Sequence, residues 1–243
     1  MMQERLQTAV AMIYPPRCLT CGDTVDSDFG LCGPCWRDTS FIGGAICDCC
    51  GVPLPGEDSS DTLHCDDCLA ATRPWAQGRA AMLYRDTGRK LVLALKHGDR
   101  QEIAKPAALW MANAVQDICP ENTLIAPVPL HWLRLVKRRY NQSALLARAL
   151  AREIGLDCCP DLLQRTRRTV PLEGLGREER HSVLENTIVI NPKRRHRAVG
   201  RSILLVDDVM TSGATLGTTA QACLEGGTGP VRVVTLARVA KDT

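Results

Sequence analysis

Two adjacent carboxylates, Asp207 and Asp208, are followed closely by a small, hydroxyl-rich run: Thr211, Ser212, Gly213, Ala214 and Thr215. Each half suits a different ligand group. Ionised carboxylates only accept hydrogen bonds, which fits the hydroxyls of a diol. A glycine- and hydroxyl-bearing turn that opens a helix presents unpaired N–H groups and the positive end of the helix dipole, which fits a phosphate dianion. The acids would repel phosphate, so the two halves serve different parts of one ligand, and a ribose 5-phosphate satisfies both. The plainer reading is a buried strand, an Asp turn and a capped helix with no ligand, which leaves the coincidence of acid pair and cradle unexplained.

The cysteines form a second constellation. Of thirteen in the chain, eight fall in four C-x-x-C pairs: Cys18/Cys21, Cys32/Cys35, Cys47/Cys50 and Cys65/Cys68. A two-residue gap lets both thiolates of a tight turn face one tetrahedral zinc, and two such turns close a four-cysteine site. Sequential pairing puts Cys18, Cys21, Cys32 and Cys35 on one zinc and Cys47, Cys50, Cys65 and Cys68 on a second. Interleaved pairing meets the same spacing, and Cys49 is a surplus thiol that spacing alone does not distinguish from Cys50. Between Cys18 and Cys68 stand ten Asp and Glu against Arg37 alone, with few large apolar residues. Metal must then replace a hydrophobic core, and a structural zinc supplies on the order of 10 kcal/mol. The CGPC of Cys32 to Cys35 also matches a thiol–disulfide redox tetrapeptide, but the strand and helix that such a motif needs around it are not evident. An acidic module repels a phosphate backbone. It therefore reads as structural, or as a docking surface for protein partners. Cys119, Cys158, Cys159 and Cys223 read as small buried hydrophobes.

Positioning the acid pair and the cradle takes an α/β frame. The apolar run 202–206 predicts a strand buried on both faces of a parallel sheet. The acids fall at its end, where open α/β sheets bind ligands. A helical pattern follows as far as Glu225 and stops at Gly226 and Gly227. Further strands are predicted at 80–84, 123–128, 187–190 and 231–236, and helices at 87–96, 102–116 and 139–153. The chain divides into an N-terminal helix (1–14), a double zinc ribbon (15–70), a linker (71–79) broken by Pro74 and Gly78, and an α/β domain (80–243). The stretch Lys96 to Arg100 is either a surface turn or a place where Lys96 meets an anion. Residues 164–184 are Arg-rich and weakly periodic, as in a lid or a disordered segment. From Ala126 to Arg201 sixteen Lys and Arg stand against seven acids. The basic span Lys137 to Arg201 allows contact with nucleic acid, although scattered Arg is more often plain solvated surface. No run approaches the ~18 apolar residues of a membrane span, and the opening apolar run is too short for a secretory signal. The expectation is a cytoplasmic chain with no membrane partner, in a reducing compartment that disfavours disulfides.

Residues 203–215 resemble the 13-residue motif that binds phosphoribosyl pyrophosphate (PRPP) in type I phosphoribosyltransferases. The resemblance implies that Asp207 and Asp208 hold the ribose hydroxyls and that Thr211, Ser212, Gly213, Ala214 and Thr215 hold the 5-phosphate. It also implies a pyrophosphate loop after the 123–128 strand, at Pro129, Leu130 and His131. Lys96 and Arg139 would assist there, and a mobile lid would bring in Arg177 and Arg180. Where lids of the family carry Gln and Asn, this chain is apolar at Leu172 and Val183.

The tandem cysteine pairs, LALKHGD, IAPVPLH, RRYNQ, the Arg-rich segment and VDDVMTSGAT together resemble the ComF family over nearly the whole chain. That implies a type I phosphoribosyltransferase-like parallel sheet flanked by helices, two structural Zn2+, and Mg2+ arriving with PRPP. The implied activity is transfer of a phosphoribosyl group to an unknown nitrogen acceptor, with release of pyrophosphate. A non-catalytic alternative also follows: a PRPP sensor, or an adaptor that handles incoming single-stranded DNA.

Overall fold

The computed structural model describes residues 15–26, 30–56, 62–97, 100–130, 140–166 and 187–240. In chain order its elements are α1 (Gly33–Arg37), α2 (Asp66–Leu69), β1 (Gln77–Leu83), α3 (Asp86–His97), α4 (Ala104–Val115), β2 (Leu124–Pro127), α5 (Gln142–Ile154), β3 (Asp157–Cys158), β4 (Leu163–Arg165), β5 (Ile188–Ile190), β6 (Ile203–Met210), α6 (Ala214–Glu225) and β7 (Val231–Arg238). The expected helix 1–14, the lid residues Arg177 and Arg180, and His131 and Arg139 lie outside the described residues.

Five strands form one parallel sheet in the order β1-β7-β6-β2-β3. Its centre is the apolar runs of β6 and β7, whose side chains are nearly all buried, as expected where helices cover both faces. Leu204 and Val206 pack in one layer with Leu91 and Leu95 of α3, Met111 of α4 and Leu146 and Leu150 of α5. Ile203 and Leu205 pack in the other layer with Leu216, Ala220 and Cys223 of α6. Asn141 caps α5 by accepting from the Ser143 N–H, and Gly155 ends it in the left-handed conformation.

Two expectations change. The 187–190 run does not join the parallel sheet; β5 pairs antiparallel with β4 in a separate two-stranded ribbon, so the start of the Arg-rich segment is strand. The fifth parallel strand is instead the two-residue β3, too short to leave a periodic signal. The expected linker also turns into structure, because β1 begins at Gln77 and pairs with β7 from there.

The cysteine module lies along the free side of β1. Ile42 N–H donates to Ala81 O (3.0 Å) and Leu83 N–H to Ser40 O (2.8 Å), while Gly78 N–H donates to Asp48 O (2.9 Å). Gly78 is required by this approach: a Cβ there would stand 2.5 Å from the Cys49 carbonyl. Buried Arg79 fastens the contact by pairing with Asp48 (2.9 Å) and Asp117 (2.5 Å). Asp38 accepts from the Thr87 N–H and hydroxyl at the start of α3. Leu19 and Phe41 join the layer of α3 to α5, and Cys47, Cys49 and Cys50 join the layer of α6, so the two halves of the module straddle the sheet.

Candidate functional site

The chain leaving β2 crosses through α5 to β3, and the chain leaving β6 crosses through α6 to β7 on the opposite side. Neighbouring strands whose connections diverge leave a crevice beyond their carboxyl ends, the place where open α/β sheets bind ligands. Pairing between β2 and β6 stops at Pro127 and Val206, with one further bond from Val128 N–H to Val206 O. The strand itself does not stop at Val206 as the sequence suggests, because β7 continues to pair with it through Met210. Partly exposed Asp207 and buried Asp208 are thus held by pairing with β7, beyond the point where pairing with β2 ends.

Each acid has a partner that sequence reasoning missed. The Ser143 hydroxyl donates to Asp207 Oδ1 (2.7 Å), and the Asp208 N–H donates to the same atom (2.9 Å). Lys96 Nζ pairs with Asp208 Oδ1 at 3.0 Å. Desolvation and the neighbouring Asp208 push the Asp207 carboxyl up to about 7, against the pull of Ser143, the Asp208 N–H and Lys96. Lys96, expected at pyrophosphate, is therefore engaged at the acid pair.

The stretch around RRYNQ explains how these groups are held. Tyr140 OH donates to Leu95 O (2.6 Å), Gln142 Nε2 to Lys96 O (3.4 Å) and Asn141 Nδ2 to Val128 O (3.1 Å). Four consecutive residues thus tie the end of α3, the end of β2 and, through Ser143, the acid pair into one unit.

The turn after β6 has the expected shape. Gly213 takes φ +81°, the left-handed region that favours glycine, and caps α6. Asp207, Met210, Thr211, Ser212, Gly213, Ala214 and Thr215 line a cavity of about 60 Å³. On that measure one water needs only ~10–15 Å³, so the space takes a larger polar group. Behind Gly213 stand the Arg73 guanidinium and the Trp75 ring, each 3.1 Å from where a Cβ would be. Pro129 and Leu130 follow β2, the first buried and the second partly exposed.

The thiols fall into two sets, Cys18, Cys21, Cys32 and Cys35, and Cys47, Cys50, Cys65 and Cys68. Within each set the ligand atoms lie within 4.8 Å of one another, which accommodates the edges of about 3.8 Å that tetrahedral zinc–thiolate bonds of about 2.3 Å generate. The sequential pairing holds, and Cys49 belongs to neither set. Its carbonyl instead accepts from Trp75 Nε1 (2.7 Å). Cys159 and Cys223 are fully buried, and Cys119 and Cys158 are partly so. Burial pushes the Cys223 thiol up to about 12 and Cys158 up to about 11, which keeps both as thiols. Among the described residues no helix is long and apolar enough to cross a membrane.

Residues 9–69 match the double zinc ribbon domain family, and the two four-cysteine sets are its zinc-binding sites. The chain is 30% identical over 217 residues to the DNA utilization protein YhgH of Salmonella typhi, covering 87% of this chain and 92% of that one. It is 27% identical over 228 residues to Competence protein F of Haemophilus influenzae, covering 91% and 96%. Among solved structures, adenine phosphoribosyltransferase from Thermoanaerobacter pseudethanolicus aligns with 58% of this chain and 82% of its own, at 15% identity and TM-score 0.36. Phosphoribosylpyrophosphate synthetase from Mycobacterium smegmatis aligns with 57% of this chain at 14% identity and TM-score 0.33, and the chain spans about a third (34%) of that protein's length. The architecture is a parallel sheet flanked by helices and preceded by a double zinc ribbon.

Proposed function

We propose, from the premise that this chain belongs to the ComF family, that it binds PRPP and transfers the 5-phosphoribosyl group to a nitrogen nucleophile. The observation that carries this is the juxtaposition, beyond the end of β2, of the acid pair and the Gly213 turn, whose cavity Asp207 helps to line. The ribose hydroxyls donate to Asp207 and Asp208, while the N–H groups and hydroxyls from Thr211 to Thr215 take the 5-phosphate. Pro129 and Leu130 border the place left for pyrophosphate, and His131, Arg139, Arg177 and Arg180 are assigned to the same end of the ligand and to its cover.

In the transfer, the bond from the anomeric carbon to pyrophosphate breaks with its electron pair leaving on the diphosphate. A bond from the acceptor nitrogen forms on the opposite face. Positive charge grows at the anomeric carbon and ring oxygen, and carboxylates already bonded to the diol favour it electrostatically. Lys96, held on Asp208, fixes the acid pair before the ligand arrives. The carboxylate oxygens beside the diol position are hard donors of the kind that suit Mg2+ and its waters. That ion, when bound, neutralises the departing diphosphate.

The test is pyrophosphate release from PRPP and Mg2+ with a panel of purine, pyrimidine and amine acceptors. Turnover that disappears in Asp207→Asn supports the transferase; absence of PRPP binding by calorimetry to zinc-loaded protein refutes it. A second reading draws on the exposed Lys193, Arg195 and His196 around the turn 193–197 and on relatives named for DNA utilization and competence. It is a PRPP-responsive adaptor whose basic surface meets single-stranded DNA and whose acidic ribbon module meets proteins. Salt-dependent DNA binding untouched by Asp207→Asn, with no turnover on any acceptor, selects it.

A further inference from the structure

The turn that would hold the phosphate is gripped from behind by two arginines. Arg238, the last residue of β7 and 5% exposed, donates from Nη1 to Met210 O (3.2 Å) and Thr211 O (2.7 Å). Its Nη2 lies 3.8 Å from Cys50 Sγ, a thiol of the second four-cysteine set. Arg73 Nη1 donates to Ser212 O (2.7 Å), and its guanidinium carbon lies 5.3 Å from the centroid of Trp75, whose indole N–H donates to Cys49 O. Three successive carbonyls are therefore drawn toward the second metal set. In a planar trans peptide the carbonyl and the following N–H point opposite ways. The N–H groups of Thr211, Ser212 and Gly213 are thereby turned away from the arginines.

Charge explains why the grip needs the metal set. Among the described residues no carboxylate pairs with Arg238, and a buried guanidinium without a counter-charge is costly. Four thiolates around a zinc dication carry net negative charge and supply it. The first set, on the other face of the sheet, makes no hydrogen bond to this turn among the described residues.

We infer that Arg238 and Arg73 are positioning residues through which the second four-cysteine site shapes the phosphate turn, so that filling either site tightens the other. This rests on the sugar-phosphate reading of the turn. Coupling of this kind is reciprocal in binding free energy.

The experiment uses the intact chain and ribose 5-phosphate. Zinc is partitioned at equilibrium against a chelator with and without the sugar phosphate, and the same titration is followed by cadmium-113 resonances of the cadmium-loaded protein. Saturating ribose 5-phosphate is expected to raise the zinc affinity of one set by a factor on the order of 5 or more and to leave the other unchanged. The cadmium resonance it moves is expected to be the one that Arg238→Lys moves. Lysine keeps the charge but lacks the fork that reaches carbonyls and thiolate together, so this variant should hold two metals and lose the linkage. Trp75→Phe, which keeps a ring and drops the N–H to Cys49, should weaken the linkage and serves if Arg238→Lys does not fold. Ribose 5-phosphate that binds while both zinc affinities stay unchanged overturns the coupling alone. Ribose 5-phosphate that fails to bind the wild type in calorimetry overturns the sugar-phosphate reading and the coupling together.

Discussion

Removing one hydroxyl, in Ser143→Ala, should change the pH at which the site accepts PRPP rather than uniformly weakening it. Ser143 donates to Asp207 Oδ1 at 2.7 Å, and its bond is among the influences that hold the Asp207 carboxyl down while desolvation and Asp208 push it up to about 7. A hydrogen bond to a charged group contributes about 1.5–3 kcal/mol, so losing it moves that carboxyl up by roughly 1–2 pH units. If the ribose hydroxyls need Asp207 ionised, about half of the wild-type sites are competent at pH 7 and roughly 1–10% of the variant sites are. The affinity ratio of wild type to variant is then roughly 5- to 50-fold at pH 7 and falls to about twofold or less near pH 9. Calorimetry of PRPP binding from pH 6 to 9 on both proteins reads this ratio, in which the ligand's own phosphate titration cancels. A ratio constant with pH would mean that Ser143 contributes packing only. A ratio of one throughout would refute the role of Asp207 as the ionised acceptor.

Other perturbations follow from the same geometry. Gly213→Ala places a side chain at φ +81°, costing about 1–2 kcal/mol, and pushes its Cβ to 3.1 Å from Arg73 and Trp75. The melting temperature should fall by roughly 2–8 °C together with ribose 5-phosphate affinity, and an unchanged affinity would show that the turn does not touch the phosphate. Lys96→Ala leaves the buried Asp208 carboxylate unpaired; urea unfolding should lose up to about 3–5 kcal/mol, and a loss below a few tenths would mean that the pair is incidental. Because the Asp207 pKa is raised in the fold from 3.8 to about 7, the native state holds that proton more tightly than the unfolded chain does. Its contribution to stability is present below pH 4 and declines as pH rises toward 7, so wild-type stability minus that of Asp207→Asn should decrease across that window. Stripping both zincs with a chelator should abolish the melting transition of the 18–68 module and lower that of the rest, since structural zinc contributes on the order of 10 kcal/mol; an unmoved calorimetric trace would contradict a metal-built core.

Much of the site was legible because its signals are local. Asp207, Asp208 and the Thr211–Thr215 turn lie within nine residues of one another, and the C-x-x-C pairs declare themselves by spacing. What escaped is carried by contacts between distant parts of the chain. Ser143 reaches Asp207 across 64 positions, Arg73 reaches Ser212 across 139 and Arg238 reaches Cys50 across 188, and no periodicity encodes such meetings. Lys96 and the RRYNQ stretch stand out in the sequence by their charge, whereas Lys96 pairs with Asp208 and Tyr140, Asn141 and Gln142 tie the neighbouring elements together. The strand carrying the acids looked shorter than it is because an acid pair reads as a stop. Continued pairing with β7 overrides that preference. Residues 71–79 read as a linker because Pro74 and Gly78 break pattern. Arg73 and Trp75 instead pack beneath Gly213.

The bonds that Ser40 and Ile42 make to β1 bear on what happens when metal is scarce. Among the described residues the sheet has no further strand beyond β1, and an uncovered row of N–H and C=O groups is a template for pairing with another chain. The zinc-built segment is the cover. A copy starved of zinc would therefore do more than lose affinity for a ligand: it would expose a seven-residue strand, with five of those residues buried in the intact fold, to its neighbours. Metal supply would then bear on the chain's resistance to edge-to-edge association as well as on the shape of its crevice.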